Sequence, residues 1–90
     1  MNTYEVNDVA RRTLHEPEFR ERLRDDPAGA LAGLELRDEE RQLLLAGEVG
    51  RLYELGAHEF LLMNFARFGV LGLDRQTFSE RMRAAGPRTG

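Results

Sequence analysis

Apolar residues recur at intervals of three and four along most of this chain, and no stretch alternates in the manner of a strand. Val6, Val9, Ala10 and Leu14 form such a stripe from about Thr3 to Leu14, with Thr3 placed to cap it. Pro17 suits the first position of a second helix, which runs to about Arg24 and presents Phe19 and Leu23 four residues apart. Asp25-Asp26-Pro27 ends it, because the residue before a proline is pushed out of the helical region. A short helix through Ala28, Ala30 and Leu31 follows, closed by Gly33 in the positive-φ conformation that glycine adopts readily. Leu34 and Leu36 point inward as an extended connector. Asp38 is the expected cap of the next helix, Leu43, Leu44 and Leu45 are its buried side, and Gly47 is its stop.

The spacing then predicts one long helix from about Glu48 to Phe68, ended by Gly69. At 100° per residue, Val49, Leu52, Tyr53, Gly56, Phe60 and Met63 share one face. Leu55, His58, Leu62 and Phe65 share a roughly opposite one. A helix apolar on two sides is either central to a fold or open to a partner. Gly56 inside it costs about 1 kcal/mol against alanine, which close approach of another helix would offset. Val70-Leu71-Gly72-Leu73 forms an apolar connector, Asp74 caps the last helix, and Phe78 and Met82 pair on it. The expected fold is all-α: a compact bundle of about five helices with one long central helix, as a single domain over residues 1–85 with a flexible tail at 86–90.

Ninety residues allow one modest core and little room for a deep catalytic cleft. The absence of cysteine removes disulfides, thiolate metal sites and a cysteine nucleophile, and fits a cytoplasmic setting. No secretory signal is visible at the N-terminus, and the apolar run from Phe60 to Phe68 is too short and too polar for a membrane span. The net charge is −3 with acids and bases interspersed, which argues against nucleic acid as a partner. All thirteen bases are arginine, which genome composition explains more simply than function, although arginine is the better residue for forked contacts.

His15 and His58 are the only imidazoles, and they lack short metal-ligand spacing, so no iron site is expected in this chain. His15 reads as exposed at an interhelical break. His58 reads as a satisfied core histidine or as a polar contact on a partner surface. The run Asp38-Glu39-Glu40 is explained by the helix start and lacks the acid spacing of a calcium loop. Arg51 lies near the second face of the long helix and belongs to a residue type favoured at interface hot spots. The candidate partner-binding residues are therefore Arg51, Leu55, His58, Leu62 and Phe65. No acid, base and nucleophile come together, so no catalytic residue is assigned.

Phe19, Asp26-Pro27, Leu31, Leu34, Leu36, Glu39-Glu40, Leu43-Leu44, Gly47-Glu48, Leu52, Leu55-Gly56 and Leu61-Leu62 occur in an order that resembles one known family. It is the small (alpha) subunit of protocatechuate 4,5-dioxygenase-type extradiol ring-cleaving enzymes, and the similar stretch runs from about Glu16 to Gly69. The resemblance implies a helical subunit without iron ligands that packs on a larger subunit and helps cover its active site. The larger subunit holds Fe(II) through two histidines and a carboxylate. A similar domain serves in borosin-type ribosomal peptide precursors to dock an N-methyltransferase.

The leading expectation is a non-catalytic small subunit, or a stand-alone relative, of an extradiol dioxygenase-like system. Its partner would be a larger protein, with no cofactor in this chain and Fe(II) in that partner. The alternative is a recognition domain for a modifying enzyme in ribosomal peptide natural-product biosynthesis. A homodimer through the second helix face is a third arrangement, and neither nucleic acid nor membrane is expected as a partner.

Overall fold

A computed structural model describes residues 3–87. Among these residues the chain is all-α: α1 (Tyr4–His15), α2 (Pro17–Asp25), α3 (Pro27–Ala32), α4 (Asp38–Ala46), α5 (Val49–Glu54), α6 (Glu59–Arg67) and α7 (Arg75–Arg83). Residues 88–90 of the expected tail lie outside the described residues, as do Met1 and Asn2.

The helix starts follow local chemistry, with two differences from the sequence expectation. Pro17 and Pro27 occupy first turns, where a missing N–H leaves nothing unpaired. Asp26 accepts from the Gly29 N–H at 3.1 Å, and Asp74 accepts from the Thr77 N–H at 2.7 Å. Asp38, however, is the first helical residue rather than the cap. The Glu40 side chain reaches back to accept from the Arg37 N–H at 2.9 Å, closing the turn from the other direction. Thr3 precedes α1 without a capping side-chain bond.

The expected long helix is two helices. Gly56 takes φ +115°, the Gly56 N–H donates to the Tyr53 carbonyl (2.9 Å) and the Ala57 N–H to the Leu52 carbonyl (3.0 Å). That pair of bonds is the Schellman ending, with the apolar pair Leu52 and Ala57 buried beneath it. The same pair of bonds closes α4 at Gly47 and α6 at Gly69. Gly33 behaves otherwise: its φ is −89°, so it ends α3 without the left-handed turn expected of it.

The close helix approach expected at Gly56 occurs at Gly50. A Cβ there would lie 2.5 Å from the Arg81 carbonyl oxygen, so α5 admits the backbone of α7 only because position 50 carries no side chain.

The interior draws on every helix but the last. Val6, Val9 and Ala10 of α1 share it with Phe19, Leu23, Leu31, Leu44, Val49, Leu52, Leu62 and Phe65, and the connector residues Val70 and Leu73 complete it. The most extensive helix pair is α1 with α6. There Asn64, buried, donates to the Ala10 carbonyl at 3.0 Å, a polar link inside an apolar seam. Phe78 and Met82 of α7 pack on this core from outside, half-buried.

Arginine fastens the ends of the helices. The Arg20 guanidinium donates to the Thr13 and Leu14 carbonyls at the end of α1 (2.9 and 3.1 Å). Arg24 donates to the Phe68 carbonyl beyond α6 (2.6 Å), and Arg81 to the Ala46 and Gly47 carbonyls at the end of α4 (2.9 and 2.7 Å). Helix C-termini carry unpaired carbonyls and partial negative charge, so a forked cation suits them. These arginines therefore have a structural use whatever the genome's codon bias.

Candidate functional site

The break at Gly56 decides where the five sequence candidates lie. The two stripes drawn on a continuous helix are real groupings, but the inward side changes at the break. Before it, Val49 and Leu52 of the first stripe face the core. After it, Leu62 and Phe65 of the second stripe do, each with 0% exposure. Leu55 is buried as well. These three side chains fill the chain's own interior and offer no surface, which corrects their assignment to a partner face.

Arg51 and His58 do reach the surface, each already engaged within the chain. Arg51 pairs with Glu54 at 3.2 Å and lies 4.0 Å from Glu39. The His58 Nδ1 accepts from the Phe60 N–H at 3.2 Å, capping α6, while the His58 backbone N–H donates to the Asn7 side chain at 2.9 Å. His58 is thus an exposed helix cap, neither a core histidine nor a free contact. His15 is exposed at the end of α1, as expected. It lies eight residues beyond Asn7, about 12 Å along the helix axis, which sets the two imidazoles apart. Among the described residues no three His, Asp or Glu side chains gather as metal ligands.

The apolar surface left over after folding is on the other side of α6. Phe60 is 69% exposed and Met63 is 48% exposed. They line a half-open groove of ≈ 630 Å³ between α6 and α7, to which α7 contributes Phe78 and Ser79. Arg67 and Arg75 also line this groove, and among the described residues neither makes an ion pair. An exposed aromatic beside an exposed methionine, flanked by two guanidiniums without ion pairs (Arg67 lies 5.5 Å from the Phe68 ring centre), has the make-up of a protein-contact surface.

An acid ties each end of α7. The Glu54 carboxylate accepts from the Gly86 N–H at 2.7 Å and from Arg51, and these bonds hold its pKa below the ordinary value. The bond from the Thr77 N–H holds Asp74 down in the same way. A lowered folded pKa means that each carboxylate contributes stability above the ordinary carboxylate range. That contribution fades as pH falls through the lowered value. In an acid titration followed by NMR, the Gly86 and Thr77 amide shifts should move with midpoints below 4.5 and 3.8, the ordinary values for Glu54 and Asp74. Midpoints at or above those values would mean that the two bonds do not form in solution.

A family model, that of the LigA subunit of the aromatic-ring-opening dioxygenase LigAB, matches residues 9–86. The chain belongs to this family. No curated protein and no solved structure matches it. In this LigA-family chain the matched region runs from α1 to just past α7, so it takes in the whole groove and both its walls. No helix among the described residues is long and apolar enough to cross a membrane.

Sequence reasoning set Phe60 and Met63 of this LigA-family protein on the face opposite the candidate contact residues and left Arg67 and Arg75 unassigned. One signal was present. Leu55-Gly56-Ala57 has the apolar-Gly-apolar character of a helix stop, like Gly47 and Gly69, and a stop there frees α6 to turn either face inward.

Proposed function

We propose that this chain is a non-catalytic small subunit, or a stand-alone relative, of an extradiol dioxygenase-like system. It binds a larger subunit and helps to cover that subunit's active site. The observation that carries this reading is an apolar pair, Phe60 and Met63, standing outside a filled core in a member of a dioxygenase subunit family. Large exposed apolar side chains grouped in one groove mark an interaction surface more often than scattered ones do. The chain's own residues do not fit an iron site: its two imidazoles are separated, and the His58 Nδ1 is occupied as a helix cap. Fe(II), which supplies the oxygen chemistry of such enzymes, would be held by the larger subunit.

The test is reconstitution with a large, metal-binding ring-cleaving dioxygenase subunit from the same genome. The two should co-elute as one complex, and ring-opening activity should fall at least tenfold when this chain is left out. Full activity without it, or co-elution with a peptide-modifying enzyme instead, would overturn the proposal.

A further inference from the structure

The groove between α6 and α7 is lined by the apolar Phe60, Met63, Ala66 and Phe78 and by two arginines with no acid among the lining residues, in a chain whose net charge is −3. Its positive charge is therefore a local arrangement set against the charge of the whole. Most of the other arginines are occupied. Arg11, Arg12, Arg41 and Arg51 make ion pairs, and Arg20, Arg24 and Arg81 hold helix-end carbonyls. Arg67 and Arg75 do neither, although both flank the most exposed aromatic residue of the described chain. A guanidinium without an ion pair at such a site can take a ligand's carboxylate in forked, two-bond geometry as water is displaced.

We infer that this groove takes a short acidic amphipathic helix of the larger subunit. That helix lays its apolar face between Phe60, Met63 and Phe78 and places carboxylates on Arg67 and Arg75. The inference rests on the docking function proposed above and names the surface that performs it. On α6 the lining runs from Phe60 to Arg67, about 10 Å along the helix axis or roughly two turns. Recognition of this kind uses anchors at i, i+3, i+4 and i+7 on the bound helix, with charges beside the apolar row. A second copy of this chain is a poorer occupant. A two-fold contact centred on the groove would set Arg67 and Arg75 against their own copies.

The experiment measures binding of the full-length chain to the large subunit used in the reconstitution, wild type against variants, at several salt concentrations. Phe60, Met63, Arg67 and Arg75 are all exposed, so their variants should fold, which circular dichroism checks. Phe60→Ala should weaken binding roughly tenfold or more. The double reversal Arg67→Glu/Arg75→Glu should weaken it roughly a hundredfold at low salt and flatten its salt dependence. Tyr4→Ala and Leu45→Ala, exposed apolar positions outside the groove, should stay within about twofold. If the wild type binds and every variant binds equally well, the groove assignment falls while the docking function stands. If only Phe60→Ala weakens binding, the acidic chemistry falls. A wild type that does not bind the large subunit removes both readings. A dimer in sedimentation that the groove variants dissolve would hand the groove to a second copy and overturn the inference.

Discussion

Phe65→Ala is expected to lower the unfolding free energy by about 3–5 kcal/mol, the usual loss for a fully buried phenylalanine. The side chain is wholly enclosed, and the Phe65 carbonyl accepts from the Val70 N–H at 3.0 Å in the turn that ends α6. Removing the ring leaves a void where α6 meets the common interior. A domain of this length has about 5–10 kcal/mol in total, so the variant loses a large share of its stability. At about 4–8 °C per kcal/mol, its thermal midpoint should fall by more than 10 °C. Phe60→Ala, on the same helix but 69% exposed, should melt within a few degrees of the wild type. Thermal denaturation of the two variants separates the inward side of α6 from the outward one. A reversed order of midpoints would show that α6 faces the other way, and equal midpoints would contradict the enclosure of Phe65. Charged substitutions at Leu62 or Phe65 consequently report on folding and say nothing about docking.

Gly56→Ala gives an effect whose sign discriminates between two structures. In the interior of a continuous helix, replacing glycine with alanine stabilises by about 1 kcal/mol. At φ +115°, a conformation that side-chain-bearing residues rarely adopt, the same change should destabilise by about 1–3 kcal/mol. Urea denaturation reads the difference directly: the midpoint should fall with an unchanged slope. A rise would mean that residues 49–67 form one rod after all, and the groove built on the break would lose its basis.

Much of the fold was legible because its punctuation is local. Pro17, Asp26-Pro27, Gly47, Gly69 and Asp74 act through steric and hydrogen-bonding rules that operate within a few residues, and each marks a boundary where the sequence placed it. The similarity to a dioxygenase small subunit was legible for a related reason, since two of those boundaries, Asp26-Pro27 and Gly47, belong to the pattern that carries it. The break at Gly56 was hidden because α5 and α6 are each amphipathic, and 100° periodicity runs across the gap without interruption. Periodicity says which residues share a side. It does not say which side the rest of the molecule will cover. That choice belongs to contacts far away in the chain, such as the Asn64 bond to α1, and it moved the candidate surface from Leu62 and Phe65 to Phe60 and Met63.

The last helix has no fully buried residue. It rests on Phe78 and Met82, on the guanidinium of Arg81, on the bare backbone at Gly50 and on the Glu54 carboxylate. Segments with such shallow footing open at a small fraction of the global unfolding energy. The cleft between the last two helices thus has one firm bank and one yielding bank. Whatever settles there must also steady the softer side, so part of its contact energy goes into quieting motion. Affinity is then sensitive to positions that never touch the visitor, Gly50 and Arg81 first among them.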